Sequence, residues 1–393
     1  MSVIVRYILR DLGVAFLFGF AAFTFLLLIV GLVQEALEME MPLIYVWQLI
    51  PFVFAKMSAV SLPVTLLLAV TTFFARMSGN NEVIALKALG IPPKAFLTPV
   101  FAIAILISVI GVGINELAVT WGQRGINAVG YYAAEDILIG QLTKNHRVET
   151  GNKRITILVN GVDAQRRLIK PTIILKQESI TIEATTAQIS IDFSANMLTV
   201  TLTDFRVVGE KGGFKIAGRN RTEQIPLAEI VPSKDSNRPS NMGLYRISEE
   251  KKKTAEQIEQ QRRIIAAHRT FGASTGSVDA WAMPQINNAK ARIRLLQSHQ
   301  DRLSVEPPRR WATGFCCFFF VWLGAPLAIW MRKSDFFSSF FACFVPILLL
   351  FYPLLMFGLS QAKNGALPPT CVWLANVAIG LVGLWFLRQI HRY

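Results

Sequence analysis

Apolar and polar positions divide this 393-residue chain into two strongly apolar blocks and a polar middle. Three long apolar runs, near 12–33, 51–75 and 95–119, precede the middle. Three more, near 311–331, 336–359 and 369–387, follow it. A bilayer core takes roughly 20 apolar residues per helix, and each run reaches that length. From about 135 to 225 the pattern changes to period two or short β-branched runs, as in Arg154 to Val159, Thr172 to Leu175, Ile180 to Glu183 and Leu198 to Leu202. Turn signals at Gly151–Asn152, Asn160–Gly161 and Gly212–Gly213 separate them. Short strands at such spacing predict a sandwich, jelly roll or open barrel. After Pro232 the chain turns polar and then helical. Ala255, Ile258 and Ile265 in one helix (Glu249 to about His268), and Ile286, Ala289, Ile293, Leu296 and Leu303 in a second (Pro284 to about Leu303), predict an antiparallel hairpin closed by a turn at Gly272–Gly276. The predicted domains are 1–120, 121–232, 233–308 and 309–393.

Lysine and arginine at the short loops set the expected orientation. Arg6 and Arg10 precede the first run, Arg76, Lys87 and Lys94 lie between the second and third, Arg332 and Lys333 between the fourth and fifth, and Arg388 and Arg392 after the sixth. The other side carries Glu35, Glu38, Glu40 and Lys363. Both termini are therefore expected in the cytoplasm and the middle domain outside it, which in a Gram-negative cell is the periplasm. The first run is too long for a cleavable leader and reads as a retained span.

Composition agrees with a polytopic membrane protein. The chain is 52% apolar and only 17% charged, against about 25% charged in typical soluble domains. The net charge of +14 sits largely beside membrane ends, where anionic lipid is the nearer partner, so nucleic acid is not expected. The long basic helices leave a residual case for another anion.

Motifs of chemistry are missing. Cys316, Cys317, Cys343 and Cys371 all fall in or beside the last three runs, which argues against a disulfide framework. The four histidines have no metal-ligand spacing. The sequence holds no phosphate-cradling G-x-x-x-x-G-K-[ST], no H-E-x-x-H and no G-x-S-x-G. Within the runs only Lys56 and Glu116 are candidate buried charges, both near extracytoplasmic ends, so an ion-coupling path is not evident. No cofactor or metal is expected, and energy for any work must come from a partner.

Between the second and third runs, Asn80 or Asn81 can cap a helix, Glu82 suits its first turn, and Gly90 before Pro92 and Pro93 ends it. Val83, Ile84, Leu86 and Leu89 give this two-turn helix more apolar surface than it can bury alone. It is either an interfacial connector or a segment that fits a partner's groove.

Arg6 to Arg10 (Arg-Tyr-Ile-Leu-Arg), Leu62 to Leu68 (Leu-Pro-Val-Thr-Leu-Leu-Leu), Asn81 to Pro92 (Asn-Glu-Val-Ile-Ala-Leu-Lys-Ala-Leu-Gly-Ile-Pro), Leu323 to Leu327 (Leu-Gly-Ala-Pro-Leu) and Leu367 to Pro369 occur in this order over nearly the whole chain. In these pieces the sequence resembles the LptF/LptG permeases of the lipopolysaccharide export ABC transporter. The hairpin near 248–304 departs from the family in its length. The resemblance implies a polytopic α-helical membrane protein with six transmembrane helices (3+3) and an inserted periplasmic β-jelly-roll domain, resident in the cell inner membrane. It implies a cytoplasmic ABC ATPase dimer, a second homologous permease subunit and periplasmic bridge proteins as partners, and lipopolysaccharide as substrate. Glu82, Val83, Leu86, Lys87 and Gly90 then belong to a coupling helix, although Glu82 is also suited simply to start the helix. Lys56, Arg309 and Arg310 sit at the level of lipid A phosphates, where bases pair with phosphate or snorkel to headgroups. Ile173, Ile182 and Leu202 are candidates for an acyl-chain path, unless the β-domain is a spacer. Gly324 and Pro326 are read as helix packing and a kink. A permease for another envelope lipid and a scaffold that anchors periplasmic partners are the alternatives.

Overall fold

A computed structural model describes residues 3–39, 42–149, 155–163, 165–175, 180–192, 197–209, 215–226, 238–275, 282–331 and 336–392. The turns at Gly151–Asn152 and Gly212–Gly213, Pro232, and the basic pair Arg332–Lys333 lie outside these residues. The chain forms two units. One comprises Met1–Leu27, Ala55–Thr120 and Asn237–Tyr393; the other comprises Leu28–Phe54 and Trp121–Ser236.

The helices are α1 (Val3–Met39), α2 (Leu43–Gly79), α3 (Glu82–Ala88) and α4 (Pro93–Leu117), the last continuing through a π turn (Ala118–Gly122) into α5 (Gln123–Tyr132). After the β-region come α7 (Leu244–Thr275), α8 (Ala282–Trp330), α9 (Phe336–Pro346), a π turn (Ile347–Phe351), α10 (Tyr352–Lys363) and α11 (Leu374–Arg392). Between them, α6 (Ala134–Asn145) precedes the strands. Six helices among the described residues are long and apolar enough to cross a membrane.

In the first unit α8 is the central post. The most apolar window of its span is 72% buried, against 11% for α1. One face of α8, through Cys317, Val321, Ala325 and Ala328, joins a core with Leu66, Val70 and Phe74 of α2 and Phe96, Val100 and Ala104 of α4. The other, through Cys316, Phe320, Leu323 and Leu327, packs on Cys343, Leu355, Ala375 and Ile379 of α9–α11. Small residues let α4 and α8 approach closely. A Cβ on Gly314 would stand 2.3 Å from Val112 Cγ2 and 2.9 Å from its backbone nitrogen. Gly314→Leu is expected to destabilise the bundle by about 1–3 kcal/mol through overpacking. Gly113→Leu, where a Cβ meets nothing within 4 Å, should be close to neutral. Thermal unfolding in detergent tests this, and equal melting temperatures for the two variants would refute the close contact.

Two expectations from the pattern are corrected here. Residues 134–145 are helical, and the first strand begins only at Arg147. Ile137 and Ile139 read as alternation, but Glu135 and Asp136 in the first turn and Lys144 in the last complement the helix dipole. Second, the boundary at 308/309 falls inside a helix. The second hairpin arm and the fourth span are one 49-residue helix, with Pro307 and Pro308 in its middle. Proline removes a donor and crowds the preceding turn, yet Leu303, Val305, Arg310 and Ala312 are all buried around that point, so packing carries the helix through. The first arm also runs through Gly272 to Thr275, with Gly276 outside the described residues. Its inner side holds Thr254 and Ile258 rather than the exposed Ala255.

In the second unit one antiparallel sheet holds β1 (Arg147–Glu149), β2 (Ile155–Leu158), β3 (Gly161–Val162), β4 (Arg167–Ile169), β5 (Thr172–Leu175), β6 (Ile180–Asp192), β7 (Met197–Gly209) and β8 (Lys215–Pro226). The 13-residue β6 organises it. Its first half pairs with β5, its second with β4, and its other edge with β7 throughout. Asp136 of α6 accepts hydrogen bonds from Tyr45 Oη at 2.8 Å and Arg166 Nη1 at 2.9 Å, tying the start of α2 to the strand region.

Candidate functional site

Three places collect the residues singled out from the sequence. The first is α3. Gly90, at φ +76, ends it as the left-handed position demands. Asn81 precedes it at φ 60 without a side-chain cap; instead Asn80 Nδ2 donates to Glu82 Oε1 at 3.4 Å. Val83 is buried in a core with Ile8, Met77, Ile329 and Ile390, and Leu86 packs on its edge. Lys87 Nζ donates to the Ile390 carbonyl in the last turn of α11 at 3.2 Å, where the helix has carbonyls to satisfy. Ser78 Oγ donates to the Ile329 carbonyl at the end of α8 at 3.3 Å. A cavity of about 210 Å³ lies among Ser78, Val83, Lys87, Trp330 and Gln389, with Ile84 at its rim. Facing outward are Ile84, 49% exposed, and Leu89, 76% exposed, with Glu82 half-buried beside them. The five residues expected to couple to a partner therefore divide. Val83, Leu86 and Lys87 hold α3 to its own bundle, Gly90 shapes its end, and only Glu82 borders the free apolar face. Ile84 and Leu89 complete that face.

The second place is the C-terminal end of α4. Glu116 and Arg310 form an ion pair. Arg310 also donates to the carbonyl of Met242, and to that of Ser240 at 3.4 Å. The Leu244 N–H, at the start of α7, donates to Glu116 Oε1 at 2.8 Å. Arg310 is 1% exposed, so its charge is spent inside the protein as a strap joining α4, α8 and the segment ahead of α7. Arg309 donates to the buried Glu306 through Nε at 3.0 Å and Nη2 at 2.8 Å. Lys56 is half-buried on α2, in neither group. Beside the strap a cavity of about 480 Å³ is lined by Arg238, Ser240, Arg302, Glu306, Ser360 and Lys363. Glu306 is paired with Arg309, and Arg238, Arg302 and Lys363 are the cationic side chains of the lining. The sequence held a signal for Lys363, a lone base just past a span, but none that would bring Arg238 and Arg302 to it.

The third is the interior of the sheet. Ile173, Ile182 and Val207 are aligned across β5, β6 and β7, and Leu168, Ala187 and Leu202 across β4, β6 and β7. All six are buried, in one core with Leu138 and Leu142 of α6. The three acyl-path candidates thus line one closed apolar interior.

No group of three or more metal-ligating side chains occurs among the described residues. The chain combines a membrane-spanning helical bundle, a short helix with a free apolar face, and an inserted antiparallel domain with an apolar interior. No curated protein matches it significantly. A family model does, over residues 6–389, and by that match the chain belongs to the family described as lipopolysaccharide export system permease LptF/LptG.

Proposed function

We propose that this chain is the membrane subunit of an ABC transporter that extracts lipopolysaccharide from the outer leaflet of the inner membrane. It does so in company with a second homologous permease subunit. Both termini and α3 face the cytoplasm, where an ATPase dimer grips the free face of α3. The β-domain lies in the periplasm and passes the lipid to bridge proteins of like β-structure. The observation that carries this reading is α3 itself, anchored by Val83 and Lys87 with Ile84 and Leu89 left open, in a family chain without a nucleotide-binding motif. Lipid extraction costs about 0.8 kcal/mol per CH₂ removed from the bilayer. Several acyl chains therefore demand an external energy source and an apolar path. Arg238, Arg302 and Lys363 around the larger cavity, with Lys56 as a further base, supply charge for the lipid's phosphates, while Arg309 is held by Glu306.

The acyl path runs through the sheet interior. Ile173, Ile182 and Leu202 are covered in the structure, so lipid reaches them only when the interior opens. A photo-crosslinking residue at each position, in the assembled transporter, should capture lipopolysaccharide with ATP and give little or no product without it. An active transporter with no crosslink at any of the three would reduce the β-domain to a spacer. Capture of a different lipid would favour a permease for another envelope lipid.

A further inference from the structure

Nothing in the transport reading uses the hairpin of α7 and the polar first part of α8. Residues 282–309 extend the spanning helix by about 42 Å, at 1.5 Å per residue. The seam between the arms is thin. Ile247, Thr254, Ile258, Gln261, Ile265 and His268 on α7 meet Ile286, Ala289, Ile293, Leu296 and Leu303 on α8. Arg262 and Arg269 each follow a seam residue of α7 by one position, and Lys290 and Arg294 each follow one of α8. One position is a turn of about 100° in the same sense along each helix. Because the arms run antiparallel, those two flanks lie on the same side of the hairpin. All four cations are exposed, and none is ion-paired with a described residue. Of the acids nearby, Glu259 follows Ile258 on this same flank and lies 3.8 Å from Arg263, Glu249 lies 2.7 Å from Lys253, and Glu256 is exposed two positions past Thr254, off this flank.

We propose that this face binds the anionic saccharide portion of the exported glycolipid, steadying it while the lipid end is held at the membrane. The inference rests on the export reading. Four cations against the single Glu259 on that face attract anions, and the three arginines suit phosphate or carboxylate bidentately. Because the hairpin is the helical continuation of a span, its charged face stands tens of ångströms beyond the bilayer. A long polar headgroup of a lipid bound at that span projects in the same direction.

The test uses the full chain in nanodiscs of zwitterionic lipid. The probes are the lipid-free saccharide released from lipopolysaccharide by mild acid, a neutral dextran oligosaccharide, and lipid A alone. The acidic saccharide should bind, weaken with salt, and outcompete the neutral one. Replacing the four residues together (R262Q/R269Q/K290Q/R294Q) should lower that affinity at least tenfold and leave lipid A binding unchanged. Removing three charges on the other flank of the hairpin (R246Q/K253Q/R292Q) should change it less than twofold. Equal losses in the two variants, or none in the first, would overturn the assignment; so would an acidic protein that needs these four residues while the saccharide does not. Wild-type binding of lipid A without the saccharide sinks this inference alone, and binding of neither sinks the export reading with it.

Discussion

Replacing Glu116 with leucine will destabilise the helical bundle by about 3–5 kcal/mol, the usual cost of leaving one member of a buried ion pair without its partner. Arg310 is 1% exposed. Without Glu116 its remaining acceptors are the Met242 and Ser240 carbonyls, and its Nε already has no hydrogen-bond partner among the described residues. The reverse change should be milder. Arg310→Met leaves a carboxylate that is 28% exposed and still accepts from the Leu244 N–H. A loss of about 1–3 kcal/mol is expected there, the cost of an unsatisfied polar contact. The double variant should lie above Glu116→Leu alone, because neither charge is then stranded. Glu116→Gln keeps the acceptor for Leu244 and should fall between. Melting temperatures of the purified chain, followed by tryptophan fluorescence, give the ranking. A double variant less stable than both singles would mean that the strap is not a coupled pair.

The strap marks the limit of what the chain disclosed as sequence. Membrane spans were legible because a run of apolar residues of bilayer length has few other uses; all six are helices. Strands at 155–158 and 172–175 and parts of β6 and β7 were legible from period two or β-branched runs; β3, which starts at Gly161 where the pattern reads as a turn, and β4 were not. Residues 134–145 were not, because Ile137, Leu138, Ile139 and Leu142 satisfy both periods over so short a stretch. Continuity of the hairpin with the fourth span was hidden by Pro307 and Pro308, which locally argue for a break. Arg310 shows a deeper obstacle. Its neighbour in sequence, Arg309, pairs within its own helix at i−3, a contact that spacing can suggest. Arg310 pairs with Glu116, 194 positions away. Nothing local distinguishes an arginine waiting for a phosphate from one already satisfied by a carboxylate on another helix. The same holds on α3, where Glu82 to Gly90 were legible as a helix and its stop. Which of its apolar residues turn inward depends on α8 and α11, and in two turns the spacing cannot tell.

On the proposed reading, that division on α3 separates docking from transmission, and the two should fail differently. Ile84→Asp and Leu89→Asp place charge on the exposed face, where each apolar side chain would contribute about 1.5–3 kcal/mol if covered by a partner. Either change is expected to weaken capture of the ATPase by tenfold or more, since about 1.4 kcal/mol is a factor of ten. Glu82→Lys, at the edge of the same face, should weaken it in the same direction. Lys87→Met acts elsewhere. Its ammonium holds the last turn of α11, and its loss leaves the outer face of α3 intact. ATPase capture should then stay near wild type, while ATP hydrolysis no longer drives lipid release from proteoliposomes. Lys87→Arg, which keeps a donor within reach of the Ile390 carbonyl, should restore part of that coupling. The measurements are pull-down affinity and lipid released per ATP hydrolysed, taken on the same preparations. If Lys87→Met loses the ATPase as completely as Leu89→Asp, Lys87 belongs to the docking face after all, and α3 does not transmit through α11.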